Sequence, residues 1–198
     1  MTGTLQDRQD IADLMTGWIR RDLAEWDRLR ALFHPDGRIE VSWFEGPVSD
    51  FVNASQRMGA SDLSTKHLIA SPVVTFSPDG TRAVSETNAV IIVENVPLEL
   101  GCEAHNRLID RLERRAGEWR IVDRKVSYDR SHFTFPCGVV DIDREVVSRH
   151  PREYAALAYL LEVSGFPVRR GFATRGSDLE RIIKREAFDW LGAEGPGL

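Results

Sequence analysis

Between Ile11 and Phe33 the apolar positions recur at three- and four-residue steps: Ile11, Leu14, Met15, Trp18 and Ile19, then Trp26, Leu29 and Phe33. That spacing predicts one long amphipathic helix laid against a core. The position that continues the stripe after Trp18 and Ile19 is Asp22. A carboxylate turned inward needs a partner, a raised pKa or a water-filled cavity, because an unpaired buried charge is costly. The bland alternative is a helix that bends near Asp22 and leaves its carboxylate in water.

After the turn His34-Pro35-Asp36-Gly37, a short strand is expected over residues 38–44, stopping at Gly46. Residues 47–59 return to helical spacing through Phe51, Val52 and Met58. The pattern then becomes β-rich, with strands expected over 66–76, 82–96, 103–114 and 119–128. Ser77-Pro78-Asp79-Gly80 and Ala116-Gly117 supply turn chemistry between them. In the third strand Ala104, Asn106, Leu108, Asp110 and Leu112 share one parity. A long helix followed by antiparallel strands on short turns is an α+β order, with the helix filling the concave side of one strongly curved sheet.

The character changes after Pro136. Residues 151–163 form a segment apolar on most faces, to be covered either by the open end of the sheet or by another subunit. Ser177-Asp178-Leu179-Glu180 reads as a capping box that opens a last helix through Trp190. The closing GAEGPGL is expected to fray.

Composition narrows the partners more than the fold. A chain of 198 residues suits one domain with a proper core. A net charge of -5 argues against nucleic acid or an anionic membrane as the main partner. No apolar run approaches a membrane span, and MTGTLQDRQD lacks the basic-then-apolar order of a signal peptide, so a cytoplasmic location is expected. Cys102 and Cys137 are too few and too far apart for a metal knuckle or a disulfide framework, and read as reduced thiols. Three lysines beside many arginines fit a GC-rich bacterial genome. Phosphate loops, dinucleotide fingerprints, CxxC, HExxH and GxSxG are absent from the sequence, and His34, His67, His105, His132 and His150 lack metal-ligand spacing. No metal or cofactor is expected. Any chemistry must rest on side chains that folding brings together.

Four stretches in order carry a family likeness: Glu25-Trp26-Asp27-Arg28-Leu29-Arg30 with Arg38-Ile39-Glu40, then Thr65-Lys66-His67-Leu68-Ile69, then Gly117-Glu118-Trp119-Arg120-Ile121. Over residues 5–135 the chain resembles scytalone dehydratase-like, SnoaL-like members of the nuclear transport factor 2 superfamily. The resemblance implies an α+β cone-shaped barrel, its mostly antiparallel sheet wrapped on a long N-terminal helix around a pocket. Residues 1–135 would form the cone, and 136–198 a helical extension of the same domain serving as lid or subunit contact. In dehydratase-like members a carboxylate late in the first helix pairs with a histidine at the start of the first long strand; Asp22 and His67 occupy those positions. Imidazole near neutral pH can take a proton and return it to a leaving hydroxyl, while the carboxylate fixes its tautomer.

Departures from the pattern matter. The positions of two carbonyl-polarising tyrosines hold Arg21 and Val41, and residues 93–95 lack the family's second histidine, which argues against scytalone as substrate. The polar pocket position falls at Asn106 or, if a bulge shifts register, at His105. Trp18, Trp43 and Phe44 are candidate pocket walls, and Tyr128 and His132 candidates for its mouth, although aromatics at such spacing serve equally as plain core. The resemblance implies a cofactor-independent lyase that removes water from a small hydroxylated aromatic or polycyclic molecule. Carbon–carbon cleavage releasing a small aldehyde such as formaldehyde, cyclisation and isomerisation would use the same dyad. A non-catalytic scaffold, like the β subunits of ring-hydroxylating dioxygenases, is the reading from another class. The partner expected is a small-molecule substrate, with the chain assembled as a homodimer or homotrimer.

Overall fold

The computed structural model describes residues 3–192, so the tail beyond Gly192 lies outside the described residues. The N-terminal run is three helices where the spacing predicts one: α1 (Leu5–Thr16), α2 (Ile19–Asp22) and α3 (Trp26–Ala31). A reciprocal cap opens α1, with Thr4 Oγ1 accepting from the Asp7 N–H and the Asp7 carboxylate accepting from the Thr4 N–H. Asp7 also accepts from Trp119 Nε1 and Arg114, which ties the helix to the sheet. The Trp119 and Thr4 bonds are the main reason its carboxyl is held at about 2.

The break after α1 has a steric cause. A Cβ at Gly17 would stand 2.7 Å from the Leu32 side chain and 2.9 Å from the Asp13 carbonyl, so this crossing admits only glycine. A second corner follows at Ala24, in the left-handed region at φ 55°. The two corners re-phase the stripe. Trp18, Arg21 and Asp22 turn inward, whereas Ile19 and Leu23 are 47% and 55% exposed.

The next segment is a hairpin, β1 (Phe33–Val41) and β2 (Phe44–Pro47), folded at Ser42-Trp43 where one strand is expected. The expected turn at residues 34–37 is a register shift within β1, between its ladder positions Phe33 and Arg38. Helix α4 (Val48–Gly59) follows. The strand expected over 66–76 splits into β3 (Leu63–Ile69) and β4 (Val73–Phe76), because Pro72 has no N–H to give to a ladder. Three long strands complete the meander: β5 (Arg82–Asn95), β6 (Leu100–Arg115) and β7 (Glu118–Thr134). After them come α5 (Arg144–Ser148), α6 (Ala155–Val163), β8 (Ala173–Thr174) and α7 (Asp178–Leu191).

The strands form one strongly curved sheet in the order β2-β1-β7-β6-β5-β3, with β4 beside β3 along the same strand β5. It is antiparallel except where β1 and β8 run parallel to β7. Two bulges add to its curvature: Val122 and Asp129 of β7 are extra residues without a partner on β6.

Helices α1 to α4 fill one end of the concave side through Ile11, Met15, Trp18, Leu29 and Phe51. Helix α6 fills the other and packs on β5, β6 and β7 of its own chain; residues 155–161 are all buried. Helix α7 covers the opposite face through Ile183, Ala187 and Phe188 against Val84 and Ile109. Ser177 caps α7 as its spacing predicts, but the Glu180 carboxylate accepts from Gly176 N–H and continues to Ser127 and Arg107. Cys102 and Cys137 are free thiols.

Candidate active site

Between the two halves of the concave side lies a cavity of about 60 Å³. Trp18 and Arg21, the hairpin turn, the inner faces of β3, β5, β6 and β7, and Leu157 and Leu161 of α6 enclose it. That volume holds a few waters; an apolar cavity that admits benzene measures roughly 150 Å³.

The re-phased N-terminal segment delivers Asp22 to the sheet at its β3 end. One Asp22 oxygen accepts from the backbone N–H of His67 at 2.7 Å, and the other lies 2.6 Å from His67 Nδ1. Both side chains are 10% exposed. With both carboxylate oxygens engaged, the proton of the neutral ring belongs on Nδ1, and the Nε2 lone pair is the one left for a substrate. Burial is the largest influence on this imidazole and pushes its pKa below 6.5. The Asp22 bond opposes that shift, while the charges of Arg21 and Arg124 reinforce it. The balance favours the neutral imidazole over the imidazolium.

Opposite polar groups come from β6 and β7. The bulge at Asp129 lies on β7, so the alternation of β6 is undisturbed: Asn106 lines the cavity and His105 points to the other face. Asp110 and Arg124, which the sequence reading passed over as site residues, form a fully buried ion pair through Nε at 2.7 Å and Nη2 at 3.0 Å. Arg124 also lies over the Trp18 ring at 4.4 Å, and its Nη1 has no hydrogen-bond partner among the described residues. Burial pushes the Asp110 carboxyl up, against the pull of Arg124 and Ser85. A signal for both existed: Asp110 keeps parity with Leu108 and Leu112, and Arg124 with Val126 and Tyr128.

Residues 3–125 match the SnoaL-like domain family. The chain belongs to that family. An uncharacterized protein of Emericella nidulans is 26% identical over 93% of this chain and 86% of its own length. Another from Aspergillus terreus is 28% identical over 79% of this chain, and this chain spans 65% of it. Both of these relatives are fungal, and nothing in the comparisons shows the bacterial origin expected from the arginine-rich composition. Among solved structures, a candidate scytalone dehydratase of Novosphingobium aromaticivorans superposes with a TM-score of 0.56 at 17% identity, covering 69% of this chain and 97% of its own. The hexachlorocyclohexane dehydrochlorinase LinA-type3 of Novosphingobium barchaimii gives 0.56 at 18%, covering 70% and 96%. These likenesses establish the shared fold.

Within this SnoaL-like cone the remaining expectations sort by position. Trp18 and Trp43 line the cavity, as do Arg21 and Val41 at the two tyrosine positions. Phe44 does not; it packs behind Trp43 and Phe51, because the hairpin turn points Trp43 inward in its place. Tyr128 is a buried wall residue and not part of a mouth. Its hydroxyl accepts from Ser42 N–H at 3.0 Å, and burial pushes its pKa up to about 12. His132 and His105 stack together at 6.4 Å away from the cavity, with His132 3.7 Å from Glu103. The bulge at Asp129 sets that parity. Among the described residues no helix is long and apolar enough to cross a membrane.

Proposed function

We propose that this protein is a cofactor-free lyase that eliminates water from a small hydroxylated aromatic or polycyclic compound in the cavity. The observation that carries the reading is the two-point grip of Asp22 on His67, which orients the ring at the cavity wall. His67 Nε2 takes a proton from substrate carbon, the electron pair forms the double bond, and the carbon–oxygen bond breaks. The imidazolium then returns that proton to the departing hydroxyl, so water leaves and neutral His67 is restored. Asp22 stabilises the imidazolium meanwhile. Asn106 offers an amide to position the substrate. Two structural neighbours bear the names of eliminating enzymes, a dehydratase and a dehydrochlorinase, which supports this class of reaction.

The cavity is smaller than an aromatic ring requires, so Leu157 and Leu161 of α6 have to give way when substrate enters. In this role the helical extension is a lid.

The test needs no substrate. Titration of His67 by NMR in wild type and Asp22→Asn should show its pKa falling by a further 1–2 units, roughly, when the opposing carboxylate is removed. That result would justify screening hydroxylated aromatic compounds for loss of water. An unchanged value would remove the dyad.

A homodimer or homotrimer belongs to the same proposal. Leu68 on β3 and Val73 on β4 are 51% and 73% exposed along one margin of the sheet. Light scattering coupled to gel filtration should return a multiple of 22.4 kDa. A monomer mass would exclude self-association.

A further inference from the structure

The charges around the cavity balance in number, Asp22 and Asp110 against Arg21 and Arg124, but they are not matched in hydrogen bonds. Asp22 spends both oxygens on His67, and Asp110 gives both of its oxygens to Arg124. Arg21 is left over. It is buried at 7% exposure, and among the described residues it makes no bond to a carboxylate. Its two hydrogen bonds go to neutral atoms, Nη1 to Thr65 Oγ1 at 2.8 Å and Nη2 to Met58 Sδ at 3.1 Å. A thioether is a weak acceptor for a guanidinium.

Taking a guanidinium out of water is costly unless an anion and good hydrogen bonds offset it. Arg124 has both in Asp110, whereas Arg21 has the nearby charge of Asp22 without a hydrogen bond to it. The cost shows in its acidity, since burial brings the Arg21 pKa down to about 10 against the opposing charge of Asp22. The side chain is nonetheless held in place, by Thr65 and Met58 and by the face of Trp43 at 5.8 Å. On the same cavity, Arg124 Nη1 is a buried donor without a hydrogen-bond partner among the described residues. Both cations lie close enough to His67 to act on its proton affinity. Apolar side chains line the same cavity, among them Val41, Trp43, Ile91 and Leu161.

We infer that the cavity takes an organic acid, a hydrophobic ring bearing a carboxylate, whose ionised group is received by Arg21 and by Arg124 Nη1. The inference rests on the reading of this cavity as the substrate site and names the substrate class for it. A carboxylate matches the guanidinium fork and supplies to Arg21 what Asp110 supplies to Arg124. Arg21 is then the residue that selects an acid over its neutral analogue, and the charge it places beside His67 helps to stabilise negative charge developing on the substrate.

The test compares benzoate with benzamide, which share size and shape and differ in charge. Neither has a group to eliminate, so binding is read without turnover, by quenching of tryptophan fluorescence. Wild type should bind benzoate about 10- to 100-fold more tightly than benzamide, the range of a charge-assisted hydrogen bond. Arg21→Met should bring that ratio close to one, and Arg21→Lys should keep part of it. A ratio near one in wild type, or a wild-type ratio in folded Arg21→Met, overturns the inference.

A second readout uses wild type alone. A carboxylate held between the two cations offsets the charge that lowers His67, so saturating benzoate should raise the His67 pKa and benzamide should not. No difference between the two ligands overturns the inference even if Arg21→Met fails to fold. The dyad is judged separately by Asp22→Asn. Selective benzoate binding with an unmoved His67 in that variant would keep the acid site and discard the lyase, and the reverse pattern would do the opposite.

Discussion

Replacing Arg124 with methionine should lower the free energy of unfolding by about 3–5 kcal/mol, the cost of leaving one partner of a buried ion pair alone. Both members are fully buried, and the bond is two-pronged, at 2.7 and 3.0 Å. Methionine restores most of the volume against Trp18 and Met15 but none of the charge. Asp110 must then stay ionised in apolar surroundings or take up a proton. Its folded pKa would lie far above the unfolded value of about 3.9. The native state then binds the extra proton, so the variant loses further stability as pH rises above about 4. The double variant Arg124→Met with Asp110→Leu should recover most of the loss, because apolar replacements of similar volume remove the unpaired charge. Urea denaturation at constant slope measures all three. A loss below about 1 kcal/mol in the single variant would mean that the pair does not hold this part of the cavity wall.

Turnover should fall by about 10²- to 10⁴-fold in His67→Gln, the usual contribution of a positioned general base. The fold should survive, since the glutamine amide can still reach the Asp22 carboxylate. In wild type kcat/KM should rise with pH as His67 loses its proton, then level off at an apparent pKa below 6.5, because burial and two nearby arginines disfavour the imidazolium. Asp22→Asn should shift that limb to lower pH and lower its plateau. The same depression has a stability counterpart. As pH falls below about 6.5 the unfolded histidine takes up a proton that the folded one refuses, so stability declines through that window. A substrate from the screen whose turnover is untouched in His67→Gln would take the base role away from this residue.

Strand periodicity was the most legible layer. The long strands β5 and β6 pair without a register break, and Asn106 faces the cavity because β6 keeps its parity from Leu100 to Leu112. The pairing of Asp22 with His67 was legible only with help from a family likeness. Spacing alone offered an inward carboxylate and an open question about its partner. Arg124 was passed over, and Arg21 entered only as a departure from a tyrosine of the family pattern, since a lone arginine in a helical or strand pattern ordinarily marks a solvated position. Nothing local in the sequence announced the bulge at Asp129, which turns His132 away from the cavity, or the fold-back at Ser42-Trp43, which puts Trp43 rather than Phe44 on its wall.

The sequence by itself determined the α+β class, the meander and an acid placed on the apolar stripe of its first segment, because these depend on local periodicity and turn chemistry. Tertiary structure alone decided where that segment breaks. Gly17 yields there to the crossing Leu32 side chain, and the break turns Arg21 and Asp22 together toward β3. It also decided which charges end up paired. Periodicity reports the average face of an element, whereas pairing depends on contacts between residues 14 and 45 positions apart, as in Asp110–Arg124 and Asp22–His67.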